Sequence, residues 1–163
     1  MLPSSLHTIT MNKSDKIEKL LWSIALPGFG QLLNRKYVKG LTLIILEIIV
    51  NINSNLNDII IDSFKGNIQA AVQHTDYNWL MFYPCLYMFG IWDAYKDGGD
   101  TAEFAYIPFV LGAFLGTVGI IYSDVLRPFN ILFGPVWLPM IFSFVGNAIG
   151  ITLFLVLRKL RIT

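Results

Sequence analysis

The chain has 163 residues, of which 55% are hydrophobic and only 14% are charged, and its mean hydropathy is +0.58. A soluble domain has about 45–50% apolar and about 25% charged residues, so this composition excludes a soluble globular enzyme, a disordered chain and a coiled coil and predicts an all-α, polytopic helical membrane protein. Twelve Lys and Arg against eleven Asp and Glu leave a net charge of +1, which provides no basic excess for binding nucleic acid.

The N-terminal segment differs in character from the rest of the chain. We predict that residues 1–13 form a disordered extension, and Met11 is a candidate for the true initiator because Met11-Asn12-Lys13-Ser14 resembles a natural beginning. Residues 14–163 show no composition shift that would divide them, so we predict a single integral membrane domain there.

The first apolar stretch, Leu20 to Leu33, follows three lysines and superficially resembles a signal peptide. Pro27-Gly28 interrupts it and no small-x-small cleavage site follows, so we expect it to be retained. Its fourteen residues would rise only about 21 Å as a helix, against a bilayer core of about 30 Å. Two interpretations follow: a short crossing, or a re-entrant hairpin that enters and leaves on one side.

Four later stretches are long and apolar enough to cross a bilayer. We predict helical spans at about residues 38–56, 79–94, 104–122 and 136–157. They must be helices rather than open strands because lipid offers no hydrogen-bond partners to the backbone.

The distribution of positive charge favours the hairpin. Lys and Arg concentrate on the cytoplasmic side of membrane proteins. With a hairpin and a cytoplasmic N-terminus, ten basic residues lie in the cytoplasm and only Lys65 and Arg127 lie outside. If the segment crosses fully, only five basic residues lie in the cytoplasm and seven lie outside. Four spans then leave both termini in the cytoplasm. The composition, rich in Ile, Leu and Asn, suggests a bacterial cytoplasmic membrane.

The external loop after the first span has the pattern of an amphipathic helix. Its apolar residues recur at spacings of three or four, and they are Ile60, Ile61, Phe64, Ile68, Ala71 and Val72. We expect this helix either to lie on the outer leaflet or to cap the bundle.

The segment Leu26-Pro27-Gly28-Phe29-Gly30-Gln31 is the most distinctive local motif. Pro27 removes a backbone donor, while Gly28 and Gly30 permit a sharp reversal within packed protein. A phosphate-binding loop would need Lys and Ser/Thr at fixed offsets, so we favour a structural turn over a ligand site.

Several of these residues resemble the two-transmembrane-helix domain family. The resemblance rests on the glycine turn, on Tyr37 with Lys39-Gly40 opening an apolar helix, and on Gly90-Ile91-Trp92-Asp93 closing another. It covers about residues 20–97, roughly half of the chain, and two further spans extend it. It implies an integral membrane protein from a family whose function is poorly defined and that is often attached to other modules.

Polar residues within the predicted spans form the candidate site. Glu47, Asn51, Ser54 and Asn55 share one face of the first span, and Asp93 lies near the inner end of the second. One interpretation is a cavity that responds to protons or ions. The favoured one is structural: Glu47 is protonated or hydrogen-bonded to Gln31 or Asn34, and Asp93 neutralises Arg35, Lys36 or Lys39.

Small residues in the last two spans predict a close helix–helix contact. Gly112 and Gly116 are four residues apart, as are Gly146 and Gly150. An intramolecular contact between these spans is favoured over a homodimer face. Gly134-Pro135 and Pro139 fit the entry of the last span.

We predict no metal site and no cofactor. Cys85 is the only cysteine, and His7 and His74 are far apart, so His74 is best explained as a surface residue. The acidic residues Asp93, Asp97, Asp100 and Glu103 surround Gly98-Gly99, where a solvated acidic turn is favoured over a hard-cation site.

The leading functional hypothesis is a non-catalytic scaffold, accessory or regulatory subunit, because the sequence contains no catalytic motif. Its partners would be the bilayer and other membrane proteins or a second copy of itself, contacted through faces of small residues. The alternative is a small carrier or channel for a proton, cation or solute that uses the polar stripe around Glu47. A membrane-embedded enzyme is the third possibility.

Overall fold

The computed structural model describes residues 13–99 and 101–162, and every regular element in these ranges is a helix. In chain order the helices are α1 Lys13–Ala25, α2 Phe29–Leu33, α3 Tyr37–Ser54, α4 Leu56–Phe64, α5 Ile68–His74, α6 Tyr77–Leu80, α7 Tyr83–Asp97, α8 Ile107–Ile121, a 3-10 turn Pro128–Asn130, and α9 Gly134–Ile162. The predicted all-α class is confirmed for this part of the chain. Of the predicted extension, residues 1–12 lie outside the described ranges, while Lys13 already begins α1.

Two of these helices, α3 and α9, are long and apolar enough to cross a bilayer, and α8 is a shorter apolar helix. The predicted span at 79–94 is divided, because α6 ends at Leu80 and α7 begins at Tyr83. Pro84 explains the restart: it lacks an N–H donor and is therefore best tolerated in the first turn of a helix.

The chain reverses direction between α1 and α2. Gly28 has φ +104°, a left-handed conformation that favours glycine. Downstream of it, Gly30 packs against the Ser23 side chain and the Lys19 carbonyl, so α2 returns along α1. The break predicted at Pro27-Gly28 therefore forms a helical hairpin.

The helices α3, α7, α8 and α9 run alternately between two ends. At one end, here called the basic end, Lys39 of α3 contacts Asp97 of α7, and Arg161 of α9 pairs with Glu103 before α8. At the other end, here called the capped end, α4 and α5 cover the beginning of α9, where the Trp137 indole donates to the Ser63 carbonyl at 3.2 Å.

The cap differs from its prediction. Two helices form instead of one, because the chain turns at Gly66 with φ +82°. The predicted apolar face is also wrong in part: Ile60, Ile61 and Phe64 are exposed. The buried cluster contains Ile59 and Ala71, which pack with Val136 of α9. Of the two expected placements, capping the bundle is the one that these contacts match.

Helices α8 and α9 pack at very short distance through their glycines, so the predicted intramolecular contact is confirmed. A side chain at any of these positions would collide with the facing helix. The facing pairs are Gly112 with Asn147, Gly116 with Ser143, Gly119 with Pro139, Gly146 with Leu111, and Gly150 with Pro108.

We predict that Gly146→Leu destabilises the protein by about 1–3 kcal/mol, because the new side chain meets the Leu111 backbone and forces α8 and α9 apart. Thermal unfolding in detergent measures the effect. Ala148→Leu is the control, since Ala148 is exposed on the same helix. Equal unfolding temperatures for the two variants would contradict the close contact.

Candidate functional site

The polar residues nearest the basic end converge where α2, α3 and α7 meet. Gln31 is fully buried, and its Nε2 donates to the Gly90 carbonyl at 2.8 Å and to Asp93 Oδ2 at 3.2 Å. Asn34 Nδ2 donates to the Ala94 carbonyl at 3.0 Å. Both amides therefore fasten α2 to α7.

An ion pair completes this group. Lys39 Nζ lies 2.8 Å from Asp93 Oδ1 and 2.9 Å from Asp97 Oδ2. The two carboxylates are four residues apart, which places them on one face of α7. They are mostly buried, at 11% and 16% exposed, whereas the lysine side chain is 48% exposed. We call Gln31, Asn34, Lys39, Asp93 and Asp97 the polar cluster.

Close backbone contacts bring the cluster together. A Cβ at Gly28 would lie 2.6 Å from the Gly40 carbonyl oxygen, and a Cβ at Gly40 would lie 2.8 Å from the Gly28 carbonyl oxygen. Side chains at these positions would therefore push α3 away from the hairpin. Pro27 packs on Gly90 of α7: a Cβ at position 90 would lie 3.1 Å from the Pro27 Cβ.

The partners expected for Asp93 and Glu47 have different outcomes. Of the three basic residues proposed for Asp93, Lys39 makes the ion pair. For Glu47 the expected hydrogen bond to Gln31 or Asn34 was wrong, because both amides donate to α7 instead. The alternative, a protonated Glu47, stays a prediction. Tyr83 of α7 is the residue that hydrogen-bonds to Glu47.

The environment of Glu47 contains two residues that the sequence did not single out. Tyr83 and Tyr87 stack beside it, with ring centroids 5.8 Å apart, and the Tyr87 hydroxyl donates to the Ile24 carbonyl at 2.6 Å. Their spacing of four residues is the signal that could have indicated a shared helix face. Glu47 is 8% exposed, and within the described ranges its Oε2 has no hydrogen-bond partner.

The predicted polar stripe continues from Glu47 only in part: Ser54 shares the buried face of α3, Asn51 is half-buried, and Asn55 lies just past the end of the helix. Asn55 leaves α3 with φ +59°, and its Nδ2 donates to the His74 carbonyl at 2.9 Å. Asn51 Nδ2 donates to Asn57 Oδ1 at 3.2 Å, and Ser54 Oγ donates to the Asn51 carbonyl at 3.4 Å. The two asparagines join α3 to the cap, and Asn55 does so from the left-handed turn that ends the helix, a conformation that Asn readily adopts.

The described acidic residues near Gly98-Gly99 form two separate groups of ion pairs. Asp93 and Asp97 share Lys39, Glu103 pairs with Arg161, and Asp100 lies outside the described residues. Within residues 13–99 and 101–162, no group of three His, Cys, Asp or Glu could hold a metal ion. His74 Nδ1 lies 3.0 Å from Asp62 Oδ2, and Cys85 is exposed.

No protein-family model, curated protein or solved structure matches the chain. The resemblance of residues 20–97 to the two-transmembrane-helix domain family therefore remains a prediction from the motifs themselves.

We predict that Lys39→Met lowers stability by about 1–2 kcal/mol, because it leaves two mostly buried carboxylates without their cation. The partial exposure of the lysine keeps the loss below that of a fully buried pair. Thermal unfolding at neutral pH measures it, with Lys65→Met on the exposed cap as the matched control. A second substitution, Asp93→Asn, should recover part of the loss; a double variant less stable than Lys39→Met would argue against charge pairing.

Proposed function

We propose that the chain is a multi-pass membrane protein whose four spans are α3, α6 with α7, α8 and α9. The distribution of side chains on α3 supports this. Its buried face carries small and polar residues, namely Gly40, Glu47 and Ser54 beside Leu43 and Val50. Its exposed face carries large apolar residues: Val38, Leu41, Ile45, Leu46, Ile48, Ile49 and Ile52. Such a helix would be poorly solvated by water and is well suited to lipid.

Helix α9 supports the same placement. Most of its length is exposed, and the exposed residues are again large and apolar, including Ile141, Phe144, Val145, Ile149, Leu153 and Leu155. An uncovered apolar surface of this size in water would promote aggregation. Lipid chains cover it without cost, so a bilayer is the partner that this surface fits best.

The two ends of the bundle differ in charge, and this supports a cytoplasmic basic end. Lys39 lies in the first turn of α3, Lys96 in the last turn of α7 and Arg161 in the last turn of α9, all at that end. The cap at the other end carries Lys65. By the positive-inside rule, the basic end faces the cytoplasm and the cap faces outward. A bacterial cytoplasmic membrane remains the proposed location.

In this layout, α1 and α2 form a re-entrant hairpin. The contacts along α7 support it: Asn34 contacts Ala94 near the basic end, Pro27 contacts Gly90 further in, and Ile24 contacts Tyr87 further still. The segment from Tyr87 to Asp97 corresponds to about 15 Å of helix. The hairpin therefore reaches about halfway through a core of about 30 Å and returns.

Within this membrane protein we propose a non-catalytic role as scaffold, accessory or regulatory subunit. The observation that carries this proposal is the use of the polar cluster. The amide donors of Gln31 and Asn34 and the ammonium of Lys39 all bind groups of α7. A cluster whose donors bind groups of α7 fixes the hairpin, and its five residues include no Ser, Thr or Cys that could act as a nucleophile. We also propose that residues 20–97 belong to the two-transmembrane-helix domain family.

We predict that the chain, extracted from its native membrane in polymer-bounded lipid discs, co-purifies with another membrane protein in a constant molar ratio. Quantitative mass spectrometry of the purified discs measures the ratio. A lone monomer under every gentle extraction condition would contradict an accessory role, while leaving the four-span layout intact.

A second candidate function is translocation of a proton or cation, and the buried carboxyl group of Glu47 favours it. Among the described residues its Oε2 has no hydrogen-bond partner, which is typical of carboxyl groups that bind transported ions. The broken helix formed by α1 and α2 is a second feature common in transporters.

If the chain translocates ions through Glu47, Glu47→Gln should abolish flux into liposomes, because the amide cannot exchange a proton or neutralise a cation. Glu18→Gln is the control, since Glu18 is exposed on α1. Internal pH-sensitive and sodium-sensitive dyes measure the flux. Flux that is absent from the wild type, or unchanged in Glu47→Gln, would remove this candidate.

A further inference from the structure

Glu47 lies inside α3, away from both helix ends. It is ten residues from Tyr37 and seven from Ser54, or about 15 Å and about 10 Å along the axis. Its side chain faces inward, and the residue is 8% exposed. In the proposed layout the carboxyl group lies within the hydrocarbon layer, where an ionised group is unfavourable unless it is paired.

The titratable side chains that face Glu47 in the described part of the protein are two tyrosines of α7. Tyr83 hydrogen-bonds to the carboxyl group, and Tyr87 lies beside it. The Tyr87 hydroxyl donates its hydrogen to the Ile24 carbonyl, with the two oxygens 2.6 Å apart, so Tyr87 does not donate to Glu47. Neither tyrosine carries a positive charge. These two side chains therefore do not neutralise the negative charge of an ionised Glu47.

The carboxyl oxygen Oε2 of Glu47 limits which ligand the side chain can bind. Oε2 is buried, and among the described residues it has no hydrogen-bond partner. Because protein atoms cover this oxygen, a water molecule or a hydrated cation has no room against it. A proton, in contrast, adds to the oxygen without displacing any atom.

We propose that Glu47 is a proton-binding site and that the proton is bound in the closed arrangement seen here. A hydronium ion of the solvent gives up one proton, which forms the O–H bond at Oε2; one water molecule is released, and the carboxylate becomes a neutral carboxylic acid. The Tyr83 hydroxyl is the hydrogen-bond partner of the carboxyl group. The inference rests on the placement of α3 in the membrane proposed above, and it selects the proton from the ligands that the Glu47 site could take.

The tip of the hairpin covers this site from the basic end. Gly28 packs on Gly40 and Ile44, which precede Glu47 by seven and three residues and so share its face of α3. Pro27 packs on Gly90, one turn from Tyr87. Exchange of the proton with the cytoplasm therefore requires the tip to move away from α3 and α7.

Infrared spectroscopy of the purified protein in liposomes tests the proposal directly. We expect a carbonyl stretch of a protonated carboxylic acid at neutral pH, present in the wild type and absent in Glu47→Gln. The band should disappear at alkaline pH and should be insensitive to sodium concentration. We also expect Tyr83→Phe, which keeps Glu47, to move the band to higher frequency because the carbonyl loses a hydrogen bond.

Glu18→Gln is the matched control, and its spectrum should equal that of the wild type in this region. Two results would overturn the proposal. One is a wild-type spectrum at neutral pH without a band that depends on Glu47. The other is a carboxylate signal that responds to sodium rather than to pH, which would indicate a cation site. Either result leaves the four-span layout untouched, because sidedness is measured separately.

Discussion

The buried amide of Gln31 is the contact on which the rest of the arrangement depends. Its Nε2 reaches the Gly90 carbonyl and Asp93 from the returning arm of the hairpin, so it holds α2 against α7. A buried N–H donor is costly unless it is paired, and Nε2 can be paired in this way only when the chain reverses at Pro27-Gly28; Oε1 is buried and has no partner among the described residues. The amide therefore couples the local turn to the packing of the whole basic end.

The ion pair and the glycine contacts extend this coupling to α3. Lys39 neutralises Asp93, the same residue that accepts from Gln31, so the charge and the amide stabilise one another. Gly28 and Gly40 bring the hairpin close enough for both contacts to form. In the proposed membrane layout, this closure also separates the carboxyl group of Glu47 from the cytoplasm. Structure and proposed function then depend on the same turn.

The sequence predicted the parts that follow from strong local rules. Pro27-Gly28 indicated a reversal, the glycines of α8 and α9 indicated close packing, and Lys39 was among the partners expected for Asp93. The predictions that were wrong concern contacts between residues far apart in the sequence. Gln31 and Asn34 bind backbone carbonyls of α7, which no side-chain pattern reveals, so Glu47 was assigned the wrong partners. In the cap, Gly66 ends one helix and shifts the buried position to Ile59, because tertiary packing overrides a short periodic pattern.

Cysteine labelling from the two sides of the membrane tests the reversal most directly. In a Cys85→Ala background, single cysteines at Glu18, Lys36 and Lys65 lie on the first arm of the hairpin, after the hairpin, and on the cap. The account predicts that an impermeant reagent labels the first two positions from the cytoplasmic side and the third from the opposite side. Labelling of Glu18→Cys and Lys36→Cys from opposite sides would show that the first apolar segment crosses the bilayer, and would contradict the account.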